Sequence, residues 1–191
     1  MAVGNTGIYN NFGTLNTIVL PFLLPSLGAT ANPFTSASFS ITQDGSINTF
    51  SSINIDLYGL GVRATSTIVG SDFYAGAGDS TDATLLVQNF IQSDSGSPNT
   101  TGTIYTSSAV PITDYLNAAY ASGAGAGQYA FIRLNVNSLP GDFFKTIGFL
   151  SGDAGTGAPS LTFTAVPEPS LFVLAVPGLV ALLGVRRRFT A

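Results

Sequence analysis

The side chains that most often carry chemistry are scarce in this chain. Its 191 residues include no histidine and no cysteine, so neither a Ser-His-Asp nor a Cys-His arrangement can be assembled from it. Thiolate and imidazole metal sites are excluded for the same reason, and zinc or iron held by carboxylates alone is unusual. The acids are nine aspartates and one glutamate, Glu168, which lies in the terminal segment. A glycosidase pair would therefore have to be two aspartates, and none has a diagnostic setting. Lys145 is the single lysine, and nothing marks a serine for activation by it. The run Gly123-Ala124-Gly125-Ala126-Gly127 follows a helical pattern and opens a strand pattern, the reverse of a phosphate-binding context, and reads as a turn. The expectation is a protein without catalysis and without a cofactor.

Binding chemistry has more candidates. Asp72 and the stretch Asp79-Ser80-Thr81-Asp82 place oxygen ligands in a Gly-rich region, and hard cations such as calcium favour such ligands. No EF-hand spacing is met, however, and aspartates are ordinary in surface turns, so no metal site is assigned. Sugar binding calls for an aromatic platform beside hydrogen-bonding groups. Tyr58, Phe73, Tyr74 and Tyr129 are the aromatics available for it, tryptophan being absent. Tyr58 and Tyr129 are the candidate ligand-binding pair, weighed against the common fate of aromatics as core packing. Nucleic acid is not an expected partner. Before residue 166 only Arg63, Arg133 and Lys145 oppose nine aspartates, a net charge of -6.

These residues need a scaffold, and the patterning supplies one. Only 8% of residues are charged while 45% are hydrophobic, enough for a real core under a surface of Ser, Thr, Asn and Gly. Period-two alternation runs through Ser52 to Tyr58, Ala130 to Asn137 and Ser160 to Ala165. Further strands are expected at Thr17 to Leu23, Thr35 to Thr42, Thr67 to Tyr74, Thr84 to Ile91, Gly102 to Ser107 and Phe143 to Leu150. Breaks such as Gln43-Asp44-Gly45-Ser46 separate them. From Pro111 to Tyr120 the period changes: Ile112, Tyr115, Leu116 and Ala119 share one helical face, and Pro111 suits a first helical turn. The expected fold is all-β, an antiparallel β-sandwich over residues 1–165 with one short helix crossing one end. Its order of strands, from Ile18-Val19-Leu20-Pro21 through Tyr129-Ala130-Phe131-Ile132 to Pro159-Ser160-Leu161-Thr162-Phe163, resembles jelly-roll, carbohydrate-binding-like modules of secreted bacterial proteins.

Residues 166–191 form a separate segment. They read Val166-Pro167-Glu168-Pro169-Ser170, an apolar run from Leu171 to Val185, and Arg186-Arg187-Arg188. The prolines hold the acid in extended backbone. As a helix the apolar run would be about 22 Å long, short of the ~30 Å hydrocarbon core, and Pro177-Gly178 weakens its middle. It is a marginal C-terminal hydrophobic helix, with the arginines expected on the cytoplasmic side. Order and spacing resemble the PEP-CTERM sorting domain of bacteria that secrete exopolysaccharide. That resemblance implies an exosortase-type membrane protease as partner, transient membrane anchoring, and delivery to the envelope or extracellular matrix with exopolysaccharide nearby. Proteins of that family begin with a secretory signal. Met1-Ala2-Val3-Gly4-Asn5 has neither a basic nor an apolar region, so the signal is expected upstream of Met1 or already removed.

Overall fold

A computed structural model describes residues 6–11, 14–15, 17–25, 27, 32–47, 53–74, 82–93, 101–121, 125, 127–136 and 145–166. The described residues form two antiparallel β-sheets and one α-helix, an all-β sandwich. The strands are β1 (Thr6–Asn11), β2 (Thr14–Leu15), β3 (Ile18–Leu23), β4 (Phe34–Ile47), β5 (Ile53–Arg63), β6 (Thr84–Ser93), β7 (Ile104–Thr106), β8 (Tyr129–Val136), β9 (Lys145–Phe149) and β10 (Ser160–Ala165), and the helix is α1 (Ala109–Ala121). One sheet runs β10-β4-β9-β1-β2, with β7 also paired to β4, and the other runs β3-β8-β5-β6.

Alternation decides which side chains enter the core. Along β10, Leu161 lies opposite Phe39 and Phe163 opposite Ala37, all facing inward, whereas Thr162 lies opposite Ser38 and Ser160 opposite Ser40. The outward rows are hydroxyls, so this face is wetted without charge. The inward rows meet those of the second sheet: Phe39 touches Phe22 of β3 edge-on at 5.9 Å and Phe90 of β6 at 5.6 Å. Ile55, Leu57, Ile132 and Leu134 complete this buried layer, and Ile112, Leu116 and Tyr120 of α1 join it.

α1 lies along β4, where it does the work of a missing strand. Beyond the short pairing with β7, the β4 backbone has no strand on that flank among the described residues, and unpaired backbone groups are costly to bury. Side chains replace the partner. The Ala37 N–H donates to Thr113 Oγ1 at 2.8 Å, the Phe39 N–H to Ser107 Oγ at 2.9 Å, and the Phe34 N–H to Asn117 Oδ1 at 3.0 Å. Asn117 Nδ2 returns a bond to the Phe34 carbonyl at 3.1 Å. Asn117→Ala orphans both groups of Phe34 and is expected to cost about 1–3 kcal/mol, read as a lower urea midpoint with an unchanged slope.

Three expectations are corrected. Thr67 to Tyr74 is not a strand: the Asp72 carboxylate accepts the Val69 N–H at 2.8 Å and tightens a 3-10 turn over Gly70–Asp72. The break expected at Gln43 to Ser46 is absorbed within β4 as a bulge between Gln43 and Gly45. The helix, expected to cross one end of the sandwich, instead runs along β4, and β1 and β2 join the first sheet through backbone pairing with β9 and with each other despite a polar, Asn- and Gly-containing sequence.

Candidate functional site

The outward face of the β3-β8-β5-β6 sheet is not a solvated polar face. Tyr58 of β5 and Arg133 of β8 are cross-strand partners on it, flanked by Val19 and Leu85. Tyr58, Arg133, Phe131, Asp56 and Asn135 are all fully buried. Part of their cover is the segment after β5, residues 64–74, which two arginines hold down.

The first clamp is Arg63, at the end of β5. Its guanidinium engages Asp72 through both terminal nitrogens, with Nη1 donating to Oδ2 at 2.8 Å and Nη2 to Oδ1, and stacks over the Phe131 ring at 4.3 Å. Asp72 is only 2% exposed. Its hydrogen bond from Arg63 holds the carboxyl below the ordinary aspartate range against the opposing effect of burial, and the Val69 N–H adds to this. The second clamp is Arg133. Nη1 donates to the Asp72 carbonyl and to Asp82 Oδ2, both at 3.1 Å, and Nη2 donates to Asp82 Oδ1 at 2.9 Å. The guanidinium carbon sits 5.6 Å from the Tyr58 ring centre and 5.4 Å from that of Tyr74. A fully buried arginine is costly unless its charge is matched; a bidentate carboxylate and two aromatic faces provide that match.

What reaches solvent above this layer is specific. Phe73 is 50% exposed, and the Asp82 side chain is 49% exposed although its oxygens are fixed by Arg133. Behind the layer, Asp56 accepts the Asn89 N–H at 2.6 Å, and Asn89 takes a left-handed φ of 51° in β6 to present it.

The residues singled out from sequence separate accordingly. Tyr58 is buried against Arg133, so a ligand would reach its ring only after residues 64–74 moved. Tyr129 is half-buried at the start of β8, opposite Arg63. Asp72 and Asp82 meet, but as arginine counter-ions. Asp79, Ser80 and Thr81 lie outside the described residues, as do Pro167, Glu168, Pro169, Arg186, Arg187 and Arg188; Val166 is described. No family model, no curated protein and no solved structure matches the chain. Among the described residues no group of three or more acidic side chains could hold a metal, and no helix is long and apolar enough to cross a membrane.

Sequence reasoning missed Arg63 and Arg133 as organisers of this surface. The signal was available: apart from Lys145 they are the only basic residues before the terminal cluster. Both stand at outward positions of largely apolar strands, where a charge must find a covering partner.

Proposed function

We propose that this chain is a noncatalytic protein of the cell surface or extracellular matrix, exported and sorted by its C-terminal segment and associated with exopolysaccharide. In this reading the body is a jelly-roll-like module, and Leu171 to Val185 is a helix held briefly in the membrane while an exosortase-type protease acts at Val166-Pro167-Glu168-Pro169. The observation that carries the reading is the order of three elements: a proline-bracketed acid, a short apolar run and an arginine cluster.

The described fold fits such a division of labour. The Val166 N–H donates to the Pro33 carbonyl at 2.7 Å beside the end of β10, so the fold's last described bond stands one residue before Pro167. Among the described residues, every core residue precedes the tail.

Mass spectrometry of the mature protein from its native host is the test. The expected product lacks Arg186 to Arg188, and replacing Pro167, Glu168 and Pro169 by alanine leaves the tail attached and the protein in the membrane fraction. A native product that keeps its terminal arginines overturns the sorting claim.

A further inference from the structure

We propose that the open margin of β10 is a docking edge for a second copy of this chain. Two β10 strands pair antiparallel about a two-fold axis at Thr162, joining two sandwiches through one continuous sheet. The proposal is independent of the sorting and exopolysaccharide readings above and survives the failure of either.

β10 ends its sheet: among the described residues it pairs with β4 alone. The direction of its backbone groups follows from the other flank of β4. There the Ala37 and Phe39 N–H groups turn to Thr113 and Ser107. Successive residues of an antiparallel strand turn their N–H and C=O to opposite sides, so Ser36, Ser38 and Ser40 face β10. Their partners Thr164, Thr162 and Ser160 face back. Leu161 and Phe163 therefore aim their N–H and C=O at the open margin.

That margin lacks the usual guards. Edge strands are commonly protected by charge, proline, a bulge or short length. In the other sheet, β3 carries Pro21 and β6 is bulged against β5. At the far end of the first sheet, β2 has only 2 residues. Ser160–Ala165 contains no charged residue and no proline. Its register shift, between Thr164 and Ala165, falls after the stretch that would pair.

The sequence of the margin matches itself. Ser160 to Thr164 reads hydroxyl, apolar, hydroxyl, apolar, hydroxyl, a palindrome centred on Thr162. A two-fold axis there sets Leu161 opposite the partner's Phe163. Both have backbone groups facing the margin, so each such pair exchanges both of its N–H···O bonds. On the core side the two side chains are half-buried in the single copy and have area left to cover. On the outer side Thr162 meets the partner's Thr162, and Ser160 meets the partner's Thr164. Uncharged hydroxyl pairs of this kind are favourable across strands. A slip of one residue would oppose hydroxyls to apolar side chains, so the pattern fixes the register. Because the axis uses the same edge of both copies, the pair closes and leaves that edge to no third copy.

Sedimentation equilibrium of the full chain in a mild nonionic detergent tests the pairing, over about a hundredfold range of protein concentration. The parent is expected to pass from one copy to two. Thr162→Lys and Thr162→Glu each set like charges face to face at the axis and should weaken association about tenfold or more. An equimolar mixture of the two should recover it. Val110→Lys, at a 69% exposed position of α1 on the other flank of β4, should leave it unchanged. Hydrogen exchange gives a second reading: the Leu161 and Phe163 amides of the parent should gain protection as concentration rises. That reading decides if the variants at position 162 fail to fold. Thr162→Lys associating as well as the parent, or a mixture that does not recover, overturns the pairing. So does exchange at Leu161 and Phe163 that is independent of concentration. Protection that is lost on deleting residues 1–5 would then assign the margin to the chain's own beginning.

Discussion

Gly59→Ala is expected to destabilise the sandwich by about 3 kcal/mol, at the upper end of overpacking penalties. A Cβ at this position would stand 2.5 Å from Tyr115 Cε2, 2.8 Å from Cδ2 and 2.9 Å from Cζ. The ring has nowhere to go. Its hydroxyl accepts the Gly61 N–H at 3.0 Å and lies 2.8 Å from the Gly61 carbonyl and 3.0 Å from that of Phe131. These are backbone groups at the bulge between Gly59 and Gly61, where β5 and β8 lose register, and the tyrosine from α1 supplies what the ladder omits. Urea denaturation checks the cost. In a Tyr115→Leu background, which removes the ring, the penalty for Gly59→Ala should largely vanish, giving a coupling energy of at least ~1 kcal/mol in a double-mutant cycle. The same tyrosine marks the alkaline limit of the fold. Burial pushes its hydroxyl from 10.0 up to about 12. The folded state therefore holds this proton more tightly than the unfolded chain, so the linked stability is complete below pH 10 and declines as pH rises towards 12. Tyr115→Phe should flatten that decline.

Asp72→Asn is the second large effect, expected to cost about 2–4 kcal/mol at neutral pH. It removes the negative partner of Arg63, which rests on Phe131, and weakens acceptance of the Val69 N–H that closes the turn. The sign with pH is opposite to that of Tyr115. The Asp72 carboxyl titrates below its ordinary value of 3.8, chiefly because of the Arg63 hydrogen bond. Its contribution is thus complete above that value and is lost as pH falls through the lower folded-state one. Urea midpoints of the parent and Asp72→Asn should differ most at neutral pH and converge in acid. A gap that stays constant down to pH 2.5 would show that the ion pair does not carry the effect.

The strands were legible wherever one face is buried and the other wetted. β10 occurs at Ser160–Ala165, the span its alternation marks, and β8 and β6 begin or end within two residues of expectation. Thr67 to Tyr74 failed because β propensity there competes with a side chain that bonds its own backbone: Asp72 reaches Val69 three residues back, and the arginines then trap the turn. β1 escaped notice because Thr6–Asn11, which pairs with β9, carries little hydrophobic pattern. For the candidate surface, sequence identified the aromatics but not their fates. Tyr58 and Phe73 are both aromatics near aspartates; only the register of β5 against β8 and the path of residues 64–74 bury one and expose the other. Long-range pairing decides this, and no local period encodes it.

The helix beside β4 has a consequence for association between copies of the chain. An exposed strand margin is a template on which another molecule's strand can grow, the route to fibrous association. Thr113, Asn117 and Ser107 occupy the very backbone groups such a newcomer would use. At high local concentration, copies of this protein are thereby denied one route of strand-by-strand stacking, and that side of the sandwich meets its surroundings through helix side chains instead.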